Sequence, residues 1–473
     1  MTPLTNLSQA IRQDLEIFGN NGTHWSSDDI NNAVNYWKNK LYEAFDGETV
    51  GNTIWVSTST FFIQVTCMKA AWELGISVFN QEFSGAQGHD VVPALEDFYK
   101  FIKVKLVHTN FGVMDSHYKF IYLNEFDPCI SYPARNYVLN KPIDENTVAV
   151  RTHTSGTTGM PRLIEYTHQQ GIDRIHNLTK LHGFVESDVP AHYKILHHSS
   201  LFMDYALPLL SLCKTHHGLE GEYSVNAGES DDPLVFFNRV LPYMKEHKVT
   251  RFLCPYGWGN SMCQATHVDF KEMMSIYIMR VRTTGLVQDL FNTFNFKEIS
   301  NGFGSSEFSL IAMNKVTKDT VGEFEVNKYS IINDAFEYEL FPTHLRGRIK
   351  GDEWSTTSDI FTTDGKCLYF HGRNQKIAVD GKEIDVRILQ QKIDEFFPGA
   401  NFSLVADFEL NQLYLACFDD LIPNEIEGIN RTIVFTFNLP YYKISKMDRI
   451  DIKRILRGVK PSNPLLLYYF RTH

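Results

Sequence analysis

Strand-like and helix-like stretches alternate through most of the first 350 residues of this chain. Short apolar runs such as 103–108 and 249–254 read as buried strands. Residues 56–80 read as strand, long amphipathic helix, strand, which suits the start of a nucleotide-type α/β layer. The alternation predicts an α/β fold. Beyond residue 376 the pattern is more mixed. Residues 384–397 read as a helix ended by Pro398-Gly399, with strands following at 402–406 and 412–418, which suits a small α+β lid. Asp364-Gly365 marks a hairpin turn between 360–362 and 367–370. The apolar run 465–470 reads as a packed edge or docked tail.

Composition narrows the picture. A chain of 473 residues is too long for one ordinary core, and 43% apolar residues are ample for at least two. The net charge is −11, without a basic run or basic-aromatic interleaving, which argues against nucleic acid and anionic membranes as main partners. No apolar stretch is long enough to span a bilayer, and the N-terminus lacks a secretory pattern. Seven scattered cysteines without a C-x-x-C pair read as reduced thiols. A cytoplasmic protein is expected. Cys254 reads as the end of a strand, not as a catalytic thiol.

The chemistry concentrates in Thr154-Ser155-Gly156-Thr157-Thr158-Gly159-Met160-Pro161-Arg162. Glycines let the backbone approach an anion, hydroxyls and successive N–H groups can point at it, and Arg162 adds a permanent charge with a planar fork of donors. The spacing is not that of the G-x-x-x-x-G-K-[ST] loop. A strand-like stretch, 146–152, feeds it, the context expected of a phosphate-cradling turn.

This loop resembles the signature T-S-G-T-T-G-x-P-K of the adenylate-forming superfamily: acyl-CoA synthetases, adenylation domains of non-ribosomal peptide synthesis, and luciferases. Arg162 stands where the family usually has lysine. Further blocks arrive in the family's order. Residues 301–307 resemble Y-G-x-T-E. The resemblance implies that the Phe303 ring and the backbone of Asn301, Gly302, Phe303 and Gly304 hold adenine, that Ser306 contacts the α-phosphate, and that Glu307 binds Mg²⁺. Residues 354–359 resemble W-x-x-T-G-D, with Ser358 for the glycine, and imply that Asp359 accepts both ribose hydroxyls. Residues 372–384 resemble the inter-domain hinge, where Arg373 reaches ribose or phosphate. Residues 439–449 resemble the last block, which makes Lys446 the catalytic lysine on a mobile domain. The implied architecture is a large N-terminal AMP-binding domain with layered sheets, 1–373, and a small mobile lid, 374–473.

The resemblance also places the acyl pocket. His197 and His198 follow a strand-like stretch, 193–196, and would edge it; His198 suggests a hydroxy- or keto-acid. Thr284 and Gly285 would form its turn beside adenine. Amino-acid-activating relatives carry an aspartate here; Asp204 is near, but the alignment places Ser199 or Ser200 at that position, which favours a small carboxylic acid without an α-amino group. A zinc site from His192, His197, His198, His216 or His217 is disfavoured, since adjacent strand residues face opposite ways. The implied reaction uses ATP and Mg²⁺, forms an acyl-adenylate, and passes the acyl group to a thiol of CoA or of phosphopantetheine on a separate carrier protein. Alternatives are transfer to an amine, or a degenerate member that binds nucleotide or acyl ligand without turnover.

Overall fold

The computed structural model describes residues 5–56, 58, 60–79, 102–107, 119–153, 163–193, 202–219, 232–254, 258–279, 283–305, 308–379, 382–386, 389–390, 402–407, 412–417, 431–435 and 468–472. Six strands form one sheet, in the order Lys119–Tyr122, Ile102–Val107, Thr53–Val56, Ser77–Phe79, Val148–His153, Leu163–Thr167. Neighbours run parallel except the last pair, an antiparallel hairpin. A second sheet has nine strands. Its order is Ile331–Ile332, Ser309–Val316, Glu298–Ser305, Ser275–Met279, Arg251–Cys254, Pro190–His192, Thr215–Gly218, Glu16–Gly19, His24–Trp25. From Glu298–Ser305 to Glu16–Gly19 it is parallel.

Parallel strands must be covered on both faces, and the side chains show it. Phe252, Cys254, Ile276 and Ile278 pack into one cluster with Phe237 and Leu290, from the helices Pro233–Glu246 and Thr284–Phe294. Leu253 and Tyr277, one position along, face the other cluster with Ile175 and Leu178 of the helix His168–His182. This is the two-residue period of a strand.

The helix Phe61–Glu73 links the two sheets. Trp72 Nε1 donates to the Ala149 carbonyl at 2.9 Å in the first sheet, and the Phe61 ring stacks on His192 of the second at 4.3 Å. The expected amphipathic character is corrected here. Every residue from Phe61 to Trp72 but the half-buried Ile63 is buried, because a helix between two sheets has almost no solvent face.

Two three-stranded sheets follow, Lys328–Tyr329 with Leu368–Arg373 and Asp359–Thr363, and Phe336–Leu340 with Leu345–Ile349 and Ser355–Thr357. They share a core of Phe303, Phe308, Phe336, Leu345, Phe361 and Leu368. Further on, a hairpin Lys376–Val379/Lys382–Asp385 precedes a four-stranded sheet of Phe402–Asp407, Gln412–Cys417, Arg431–Phe435 and Tyr468–Thr472. The chain is therefore α/β, with a large layered N-terminal part and a small C-terminal part. The helix expected from Ile384 is corrected at its start: Ile384 pairs with Ile377 in the hairpin, and helical backbone begins no earlier than Val386. Tyr468–Thr472 forms the edge of its sheet, as the apolar run at 465–470 suggested. No helix among the described residues is long and apolar enough to cross a membrane.

Candidate active site

Among the described site residues, Asn301 to Gly304 lie toward the carboxyl end of the strand Glu298–Ser305, and Thr284 and Gly285 follow the strand Ser275–Met279, on the side where open α/β sheets take ligands. Asn301, Gly302, Phe303 and Gly304 lie in the strand Glu298–Ser305, so this block is strand and not a glycine-rich turn. Its glycines have an internal cause. A Cβ on Gly302 would stand 2.3 Å from the Tyr277 hydroxyl, and one on Gly304 would stand 2.5 Å from the Ser309 carbonyl. Asn301 is buried and donates to the Val326 carbonyl at 3.2 Å. The Phe303 ring packs edge-on against Phe361 at 4.9 Å and tilts against Phe370 at 5.0 Å. These contacts join the block to the hairpin that carries Asp359 and Arg373.

That hairpin is built locally. Asp364 accepts from the Lys366 and Cys367 backbone N–H groups at 2.8 and 2.7 Å, which holds its carboxyl down to about 2, and Gly365 takes φ +85°. The turn sets the register that faces Asp359 with Arg373. Arg373 Nε donates to Asp359 Oδ1 at 2.8 Å. Asp359 is 1% exposed, and its Oδ2 has no partner among the described residues. An unpaired buried oxygen of this kind costs roughly 1–3 kcal/mol. A hydroxyl donor such as one of a ribose would satisfy this oxygen, so the pair is compatible with a nucleoside.

Loop residues Thr154 to Arg162, together with His197, His198, Ser306, Glu307 and Lys446, lie outside the described residues. The strands that flank the loop are described. Val148–His153 and Leu163–Thr167 pair antiparallel, and Arg151 Nε donates to Glu165 Oε1 at 2.7 Å across them. Thr284 and Gly285 open the helix Thr284–Phe294, with Thr283 as its cap accepting from Leu286 N at 3.4 Å. Both are exposed, and a Cβ on Gly285 would meet nothing within 4 Å. Of the strand expected over 193–196, Tyr193 lies just past the strand Pro190–His192, and 194–196 lie outside the described residues.

The buried histidines hold one another. His216 Nε2–H donates to the Cys213 carbonyl at 3.1 Å, which leaves its Nδ1 to accept from His192 Nε2 at 2.9 Å. Burial pushes His216 down to about 3. His217 Nδ1 meets the Tyr243 hydroxyl at 2.8 Å. No group of three or more potential ligands that could hold a metal exists among the described residues. Cys254 ends its strand as expected, and burial raises its thiol pKa.

Sequence reasoning passed over one cluster. Asp204, buried in the π-helical turn Phe202–Ala206, accepts from the Ser309 hydroxyl and feels the Arg174 charge. Arg174 Nη2 stands 3.6 Å from Asp352 Oδ2. The signal was present: Arg174 occupies the same helix stripe as Gly171, Ile175 and Leu178.

The model of the family described as AMP-binding enzyme matches residues 97–335, half of the chain. The chain belongs to the AMP-binding enzyme family. It is thus a member of the adenylate-forming superfamily and an adenylate-forming ligase by family. No curated protein matches it by sequence. Solved structures of this family share its fold. McyG A-PCP complexed with phenylalanyl-adenylate is 16% identical, with a TM-score of 0.64 over 89% of this chain and 85% of its own. O-succinylbenzoate coenzyme A synthetase from Bacillus subtilis, in complex with ATP and magnesium ion, is 14% identical, with a TM-score of 0.64 over 89% of this chain and 91% of its own. The adenylation domain of a keto acid-selecting NRPS module is also 14% identical, with a TM-score of 0.64 over 88% and 87%.

Proposed function

We propose that this AMP-binding enzyme activates a small carboxylic acid with ATP and transfers the acyl group to a pantetheine thiol, of CoA or of a separate carrier protein. The observation that carries the reading is the buried Asp359 carboxylate, one oxygen held by Arg373 and the other without a donor among the described residues. In the first step a carboxylate oxygen attacks the α-phosphorus, the bond to the bridging oxygen breaks, and pyrophosphate leaves. Asp359 and Arg373 orient the ribose. Loop 154–162, with Arg162, steadies the departing phosphates. Glu307 is the carboxylate for Mg²⁺, whose charge offsets that of the phosphate oxygens. Lys446 stabilises the charge between the attacking oxygen and the α-phosphate. In the second step a thiolate attacks the acyl carbon and AMP departs with its bonding electrons. Domains 1–373 and 374–473 would turn about the hinge between these steps, which removes Lys446 and admits the thiol.

The acid is proposed to lack an α-ammonium group. Asp204, the nearest acidic candidate to hold one, is buried, occupied by Ser309 and under the Arg174 charge. His198 then gives the pocket a polar edge suited to a hydroxy- or keto-acid. The test is product analysis: the full chain is incubated with ATP, Mg²⁺ and a panel of acids, then with CoA or a phosphopantetheinylated carrier. A thioester that forms with one acid class is expected. An acyl-adenylate that resists both thiols but acylates an amine would replace the acceptor assignment.

A further inference from the structure

Arg174 lies mid-way along the helix His168–His182 and is 3% exposed. Its guanidinium carbon sits 4.0 Å from the centre of the Tyr166 ring. Nη2 stands 3.6 Å from Asp352 Oδ2, and Asp352 Oδ1 accepts from Gln170 Nε2 at 2.8 Å. Asp204 accepts from the Ser309 hydroxyl, and the Arg174 charge works against the burial that raises its carboxyl pKa.

Each partner belongs to a different segment of the ATP site. Tyr166 is in the strand Leu163–Thr167, the outgoing arm of the hairpin whose tip is loop 154–162. Asp204 pins Ser309, which has φ +66° and stands two residues beyond Glu307. Asp352 closes the turn before Ser355–Thr357 and lies seven residues ahead of Asp359. One buried cation therefore lies against the ring of the segment assigned to the phosphates and beside a carboxylate of the segment assigned to the ribose, and its charge acts on the carboxylate that pins the segment assigned to the metal.

We propose that Arg174 is a positioning residue that holds these three segments in mutual register, so that ATP meets donors and acceptors already in place. The proposal rests on the assignment of those segments given above. A guanidinium and two carboxylates are taken out of water here, and an apolar trio of similar volume is often as stable or more so. The cation contributes direction instead: the guanidinium lies over the Tyr166 ring with Nη2 3.6 Å from Asp352, and none of its nitrogens has a hydrogen-bond partner among the described residues, so it acts through its charge and its flat face, which a lysine ammonium lacks. Ordering the site before the ligand arrives raises affinity, because less is lost on binding.

The experiment measures MgATP binding to the full chain by calorimetry, with no acid present, alongside the thermal transition. In Arg174→Lys, MgATP affinity is expected to fall about tenfold, as for other residues that orient a ligand-holding group, while one cooperative transition persists. Asp352→Asn, at the outer end of the cluster, should shift affinity in the same direction by a smaller factor. Unchanged affinity in a folded Arg174→Lys chain would overturn the proposal. If Arg174→Lys does not fold, Asp352→Asn decides: weaker MgATP binding supports the hub, and unchanged binding overturns it. A wild-type chain that binds no MgATP would overturn the functional assignment, and the hub with it.

Discussion

Asp204 and Asp359 are both almost fully buried, and each stands by an arginine. They differ in what is left over. Asp204 accepts from the Ser309 hydroxyl; burial lifts its carboxyl to about 6 against the opposing pull of the Arg174 charge, Ser309 and the Leu310 backbone. Asp359 has Arg373 on Oδ1 and, among the described residues, no partner on Oδ2. A carboxylate whose lone pairs are used inside the protein is architecture. One that keeps an oxygen unused among the described residues, on a hairpin joined to the strand Glu298–Ser305 through Phe303, is a candidate place for a ligand's donors.

Acid gives the broadest test, because it acts on Asp204 with one sign and on the buried histidines with the other. Asp204 has a raised pKa, so its contribution to stability is full below 3.8 and is lost as pH rises through about 6. Burial lowers His168 and His217 to about 4, and His182 and His216 to about 3. Their contributions are full above 6.5 and are lost as pH falls towards those values. Each proton is worth up to about 1.4 kcal/mol per pH unit, so four histidines outweigh one aspartate. The urea midpoint should fall steadily from pH 7 to pH 5, and Asp204→Asn should steepen the fall. A midpoint that rises on acidification would break this account.

Single substitutions sharpen the comparison. Asp204→Ala leaves Arg174 with one carboxylate fewer and should lower unfolding free energy by roughly 3–5 kcal/mol, with at most the tenfold loss of MgATP affinity expected of the hub. Asp359→Ala should do the reverse. It should weaken MgATP by about 10–100-fold, the value of a charge-assisted hydrogen bond, with a smaller loss of stability, since Arg373 loses this partner but is 25% exposed and regains water, while an unpaired buried oxygen is removed. Equal losses of stability in the two variants would erase the distinction. Among the glycines, Gly302→Ala drives a methyl into the Tyr277 hydroxyl and should cost about 1–3 kcal/mol. Gly285→Ala enters open space and should stay within about 0.5 kcal/mol by chemical denaturation.

The strands and the Asp364-Gly365 hairpin were legible in the sequence because burial and turn chemistry are local signals. The helix Phe61–Glu73 was legible as a helix but not as a middle layer, since nothing local reveals that both its faces are covered. Asp359 and Arg373 were legible through a motif, but the register that pairs them comes from the bulged hairpin. The glycines at 302 and 304 were visible, while their cause, contact with Tyr277 and Ser309, is tertiary. Arg174 interrupted an otherwise apolar stripe, yet its partners lie on segments far apart in the chain, so sequence spacing could not assemble them.

The central claim is that this site joins a carboxylate to the α-phosphate of ATP. Exchange of labelled pyrophosphate into ATP, driven by a panel of small acids, tests it most directly. The account predicts exchange with one class of acid lacking an α-amino group, and its loss in Asp359→Ala. No exchange with any acid, from a chain that still binds MgATP, would contradict it and leave a nucleotide-binding protein without adenylation.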